Sequence, residues 1–129
     1  MGHKREKALA LIDGEHYIPV LKGALEYANK KYDVIAAVFI GGTEKIGTPE
    51  DVKKALPIPV ILGKGNPPIE DIVEIAKKYN VDVVIDMSDE PVINYEKRML
   101  VASALMVARV RYEGADFVFK PIDLSLIHI

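Results

Sequence analysis

Ala8-Leu-Ala-Leu-Ile-Asp-Gly-Glu-His-Tyr-Ile-Pro-Val-Leu21 is the stretch on which the fold turns. Ala8 to Ile12 is a short, continuous apolar run, the pattern of a strand covered on both faces. Asp13-Gly-Glu-His-Tyr17 interrupts it with a polar loop. A helix follows, predicted from about Pro19 to Tyr32. Val20, Leu21, Ala24, Leu25 and Ala28 make one apolar stripe on it, with Lys22, Glu26, Lys30 and Lys31 mostly outside. Pro19 suits a first helical position, where its missing N–H does no harm.

The same unit recurs along the chain. A second strand is predicted over Val34 to Ile40, ending in Gly41-Gly-Thr-Glu-Lys-Ile-Gly47. Thr48 then caps a short helix that Pro49 opens and that stops before Pro57. A third strand, Ile58 to Leu62, leads through Gly63-Lys-Gly-Asn-Pro-Pro68 to a helix over Pro68 to Tyr79. Ile69, Ile72, Val73 and Ala76 are its inward residues, and Asn80 suits its C-terminal cap. The fourth strand, Val81 to Ile85, ends in Asp86-Met-Ser-Asp-Glu-Pro91. A long helix is expected from Pro91 or Asn94 to Tyr112, stopped by Gly114, with a fifth strand over Asp116 to Phe119. Strands alternating with helices imply a parallel sheet with right-handed crossovers. The expected fold is a three-layer, Rossmann-like α/β domain: a mostly parallel five-stranded sheet with helices on both faces.

Length and composition agree with a single domain. The 129 residues are half apolar and carry a formal net charge of −2, with both signs mixed. That balance points away from a nucleic-acid partner. Cysteine is absent, which excludes disulfides and thiolate chemistry. The charged start, Met1 to Lys7, does not read as a secretory signal. The most apolar run, Met99 to Ala108, is too short to span a bilayer. We therefore expect a cytoplasmic protein with no membrane partner. Glutamine and tryptophan are also missing while Lys, Glu and Ile are abundant, a hyperthermophile tendency. Met99 to Ala108 is apolar nearly all round, so it reads as a helix covered on more than one side. A central helix would satisfy that. Contact with a further domain, or with a second copy in a homo-oligomer, is the preferred reading.

Leu124-Ser-Leu-Ile-His-Ile129 fits this pattern poorly. The hexapeptide coincides with a translation of CTGTCTCTTATACACATC, an end sequence of transposon-based sequencing adapters. We expect the domain to occupy residues 1–123, residues 124–129 to be an artefactual tail, and the true reading frame to continue past Asp123. A genuine sixth strand is the competing reading, and no role is assigned to His128.

In open parallel sheets, ligands bind beyond the carboxyl ends of the strands, so the chemistry is sought in the loops. Asp13-Gly-Glu-His-Tyr17 is the richest. Asp13 or Glu15 can serve as a base or help bind magnesium, and His16 can meet a phosphate or shuttle a proton. The competing reading is a capping network at the helix start. Gly41, Gly42, Thr43 and Lys45 supply amides, a hydroxyl and a cation suited to a phosphate; equally, the glycines can simply permit a tight turn. Gly63-Lys-Gly-Asn66 reads the same way, with the following prolines favouring a turn. Asp86 is the most plausible ligand residue in its loop, Ser88 or Asp89 being a cap. The sequence has no GxxxxGK[ST], no GxGxxG after the first strand and no zinc-ligand spacing.

Four segments together carry a family resemblance: Ala8-Leu-Ala-Leu-Ile-Asp-Gly-Glu-His-Tyr17 with Pro19-Val20, Phe39-Ile-Gly-Gly-Thr-Glu-Lys45, Asp86-Met-Ser-Asp-Glu-Pro91 and Gly114-Ala-Asp-Phe117. Over about residues 7–121 the chain resembles the amino-terminal region of archaeal cyclic 2,3-diphosphoglycerate synthetases. The resemblance implies a much longer parent with a phosphate-loop ATPase-like domain after this region. It implies that ATP, with Mg2+, closes 2,3-diphosphoglycerate into a cyclic phosphoanhydride. It carries over Asp13, Glu15, His16, Gly41, Gly42 and Asp86 as site residues. The expected partners are a phosphorylated small molecule and the C-terminal nucleotide-binding domain. A scaffold or dimerisation module of a larger nucleotide-dependent protein is the alternative, and a stand-alone Rossmann-type enzyme ranks third.

Overall fold

A computed structural model describes residues 5–13, 18–40, 48–65, 68–87 and 95–114. Its strands are β1 (Lys7–Ile12), β2 (Asp33–Phe39), β3 (Val60–Leu62), β4 (Val83–Asp86) and β5 (Arg111–Gly114). Its helices are α1 (Ile18–Ala28), α2 (Pro49–Ala55), α3 (Ile69–Lys78) and α4 (Tyr95–Val107). All strand pairs are parallel and the order is β3-β2-β1-β4-β5. The expected Rossmann-like α/β fold is therefore present, with β1 at the centre.

The alternation of β1 divides the core. Ala8, Ala10 and Ile12 face Leu21, Ala24 and Leu25 of α1 and Val52 of α2. Leu9 and Leu11 face Ile72 and Ala76 of α3 and Val101 and Leu105 of α4. Every one of these β1 side chains is fully buried, as a strand sandwiched between two helical layers requires.

Helix ends account for most departures from the sequence reading. α1 stops at Ala28, short of Tyr32. Asn29 ends it, its side-chain oxygen accepting the Val34 N–H at 3.0 Å and so tying the turn to β2. α2 starts as expected, with the Thr48 hydroxyl accepting the Asp51 N–H at 3.2 Å. β3 and β4 begin two residues later than predicted, at Val60 and Val83.

The largest correction concerns α4. Instead of running to Tyr112 it ends at Val107, and Arg111 to Gly114 form β5, paired with β4 from Val83↔Arg111 to Asp86↔Gly114. Arg109 takes a left-handed backbone, φ 62°. The Val110 N–H reaches back to the Leu105 carbonyl at 2.9 Å, and Val110 packs in the same cluster as Leu105. α3 closes in the same manner: Asn80 has φ 54°, and the Val81 N–H meets the Ala76 carbonyl at 3.0 Å. Both are helix-terminating turns in which an apolar residue folds back on the last turn. Asp116 to Phe119, the predicted fifth strand, lies outside the described residues.

The loop after β3 is a packing turn. A Cβ on Gly63 would meet Pro68 Cγ at 2.6 Å. The Lys64 N–H is taken by Asp71 of α3 at 2.7 Å. Among the described residues no helix is long and apolar enough to cross a membrane.

Candidate functional site

In the order β3-β2-β1-β4-β5, successive connections run one way from β1 through β2 to β3 and the other way from β4 to β5. The direction reverses between β1 and β4, and in open parallel sheets ligands bind beyond the carboxyl ends of the strands at such a reversal. Asp13 follows the last residue of β1 and Asp86 is the last residue of β4. Their exposures are 4% and 2%, and they are the buried polar side chains among the described residues. Burying two carboxylates in a mostly apolar core is costly unless each is hydrogen-bonded or paired.

Asp86 shows how that cost is met. It stands opposite Leu11 in the β1–β4 register, and the Met87 N–H bonds the Leu11 carbonyl at 2.8 Å. Val83 and Ile85 face α1 and α2, so Asp86 shares the α4 side with Val84. There its Oδ2 accepts from the Tyr112 hydroxyl of β5 and lies 3.5 Å from Arg98 Nε in the first turn of α4. The Tyr112 hydroxyl is pushed well above its ordinary range, first by burial and then by the Asp86 charge. It therefore stays a proton donor at any ordinary pH. Asp13 has the parity of Leu9 and Leu11, which places it on the same side of the sheet as Asp86.

Of the residues the sequence singled out, the structure thus brings Asp13 and Asp86 to neighbouring strand ends. Glu15, His16, Gly41, Gly42, Thr43 and Lys45 lie outside the described residues. The strands that lead into their loops end side by side, Ile12 opposite Phe39. Arg98 and Tyr112 were missed. Tyr112 was assigned to a helix, where it could not meet Asp86. Arg98 left a faint signal: a cation in the first turn of a helix opposes the helix dipole and calls for a nearby anion.

A second polar chain sits on the opposite face of β5. Arg111 donates to both Glu6 oxygens, at 2.6 and 2.9 Å. The Tyr32 hydroxyl donates to Glu113 at 2.7 Å. These contacts fasten the edge strand to the residues just before β1 and β2, and are structural.

A family model described as the N-terminal domain of cyclic 2,3-diphosphoglycerate synthetase matches residues 7–120. The chain belongs to this family. Cyclic 2,3-diphosphoglycerate synthetases from Methanothermus fervidus and Methanothermobacter thermautotrophicus are 44% and 42% identical to it, each match covering 91% of this chain. One from Rubrobacter xylanophilus is 38% identical over 94% of the chain. The matches cover only 26–27% of those relatives' lengths. Among solved structures the domain's fold has a distant parallel. Phosphoribosylglycinamide formyltransferase from Anaplasma phagocytophilum superposes with a TM-score of 0.55 at 16% identity, over 86% of this chain and 49% of that one. That likeness concerns the fold alone.

Proposed function

We propose that this domain is the amino-terminal part of an ATP-dependent synthetase that closes 2,3-diphosphoglycerate into its intramolecular phosphoanhydride. The observation that carries the proposal is the burial of Asp13 and Asp86 at neighbouring strand ends beside the switch point of a domain from this family. Joining two phosphates as an anhydride removes the elements of water and is uphill in water. The parent enzyme therefore needs a coupled nucleoside triphosphate and a site that excludes solvent.

The substrate has a carboxylate and two phosphates and no hydroxyl group. A buried carboxylate can then meet it in two ways, by accepting a phosphate proton or by acting through a cation. Asp13 takes the first role, with Glu15 and His16 of the same loop as the further proton-handling groups. The amides of Gly41 and Gly42, with Thr43 and Lys45, hold a phosphate, and Asp86 belongs to the same substrate site. The sequence carries no phosphate-loop motif among these residues. The proposal leaves ATP and Mg2+ to the rest of the parent chain, beyond residue 123, with residues 124–129 outside the domain. Reading the locus from clean genomic DNA tests that part: a GxxxxGK[ST]-like segment downstream supports it, and a stop codon directly after Ile129 refutes it.

The site is tested by turnover of the full-length protein. Asp13→Asn, and separately Glu15→Ala with His16→Ala, should lower kcat by tenfold or more, the usual scale for a lost proton-transfer group. Unchanged kcat and KM would remove these residues from the site. The exposed apolar side of α4, with Met99, Leu100, Met106 and Val107, is the face proposed to receive a second copy.

A further inference from the structure

Resting on that reading of the strand ends, we propose that Arg98 is the anion-binding residue of the site, taking a phosphoryl group of the ligand, with Asp86 and Tyr112 as the pair that positions it. Three elements converge to build this arrangement: β4 supplies Asp86, β5 supplies Tyr112 and α4 supplies Arg98. The side chain of Arg98 is 18% exposed and that of Asp86 only 3%. The guanidinium is thus partly open to solvent beside a buried carboxylate at the end of β4.

The pair engages Asp86 through Nε, one corner of a fork that carries five N–H donors. The planar guanidinium suits bidentate recognition of phosphate, and the Asp86 charge 3.5 Å from Nε favours keeping it beside the strand ends. A purely structural role is a poor use of these groups. Replacing a buried ion pair by apolar residues of similar volume is often neutral or stabilising. A cation in the first turn of a helix also opposes the helix dipole. A buried carboxylate paired with a partly exposed arginine beside the switch point fits a ligand that is itself anionic.

The test is a titration of the 129-residue chain with 2,3-diphosphoglycerate and, separately, with pyrophosphate. Calorimetry gives affinity, and the NMR signal of the Arg98 Nε–H reports on the guanidinium directly. Binding should move that signal. Arg98→Gln should weaken binding roughly tenfold or more, the scale of a lost charge-assisted hydrogen bond. Arg98→Lys, which keeps the charge and the fold, should recover only part of the loss. Tyr112→Phe should shift the Arg98 signal in the free protein and weaken binding less than Arg98→Gln does, a pattern that lost stability alone would not produce.

If pyrophosphate moves the Arg98 signal but 2,3-diphosphoglycerate does not bind, the anion site stands and the synthetase reading falls. If 2,3-diphosphoglycerate binds equally well to Arg98→Gln and leaves the Arg98 signal unmoved, the synthetase reading stands and the role of Arg98 is overturned. Absence of binding by either anion also overturns it.

Discussion

Tyr112 pairs with Val84 across the β4–β5 ladder, and its hydroxyl reaches along the sheet to donate to Asp86, the last residue of β4. An edge strand thereby supplies the donor that keeps a buried carboxylate satisfied. Tyr112→Phe keeps the ring and removes only that donor. The expected loss is about 1–3 kcal/mol of unfolding free energy, the usual consequence of leaving a buried acceptor short of a partner. A denaturant titration checks it, and an unchanged midpoint would show that the bond contributes nothing.

Arg109 occupies a left-handed backbone position, with φ 62°. That conformation strains residues with a Cβ by about 1–2 kcal/mol, of which glycine's greater unfolded-state entropy returns part. Arg109→Gly should therefore leave stability unchanged or raise it by up to about 1 kcal/mol. Arg109→Val should lower it. A clear destabilisation by glycine would argue that α4 continues beyond Val107.

The two sides of α4 should respond differently. Leu105 is fully buried against the sheet, whereas Met106 is 76% exposed. Leu105→Ala should cost about 2–5 kcal/mol, and Met106→Ala less than about 0.5 kcal/mol in the monomer. Light scattering on wild type and Met106→Glu then tests the proposed oligomer. A dimer that the glutamate dissociates supports an interface on this face, and a monomer at all concentrations removes it.

The hydrogen bonds from Arg111 hold the Glu6 carboxyl below its ordinary value of 4.5. A depressed carboxylate contributes stability above its unfolded value and loses it as the pH falls through the folded one. Glu6→Gln should therefore be less stable than wild type above pH 4.5, with the gap closing in more acid solution. The gap should be small, because the pair is exposed. A gap that widens on acidification would contradict this assignment.

These residues also show what a sequence can disclose. The run Ala8 to Ile12, the Thr48-Pro49 helix start and the Asn80 turn are local signals, and each is found where it was expected. Asp86 was legible because it ends an apolar strand. The end of α4 was hidden, since Val107 to Tyr112 continues the apolar spacing of a helix. Its turn is also made by an arginine, an uncommon residue for the left-handed region, where α3 uses an asparagine. With Tyr112 misplaced on a helix, its meeting with Asp86 and Arg98 had no local trace. It depends on two strands that come together only through the sheet.

By the function proposed above, Asp13 and Asp86 mark a substrate site in a cyclic 2,3-diphosphoglycerate synthetase domain. The most direct measurement replaces the matching region of the Methanothermus fervidus relative with residues 7–120 of this chain. Formation of cyclic 2,3-diphosphoglycerate is then followed by phosphorus NMR. The account predicts that the chimera makes the cyclic product, and that Asp13→Asn with Asp86→Asn in the folded chimera reduces the rate at least tenfold. Product formation at an undiminished rate by the doubly substituted chimera would contradict it.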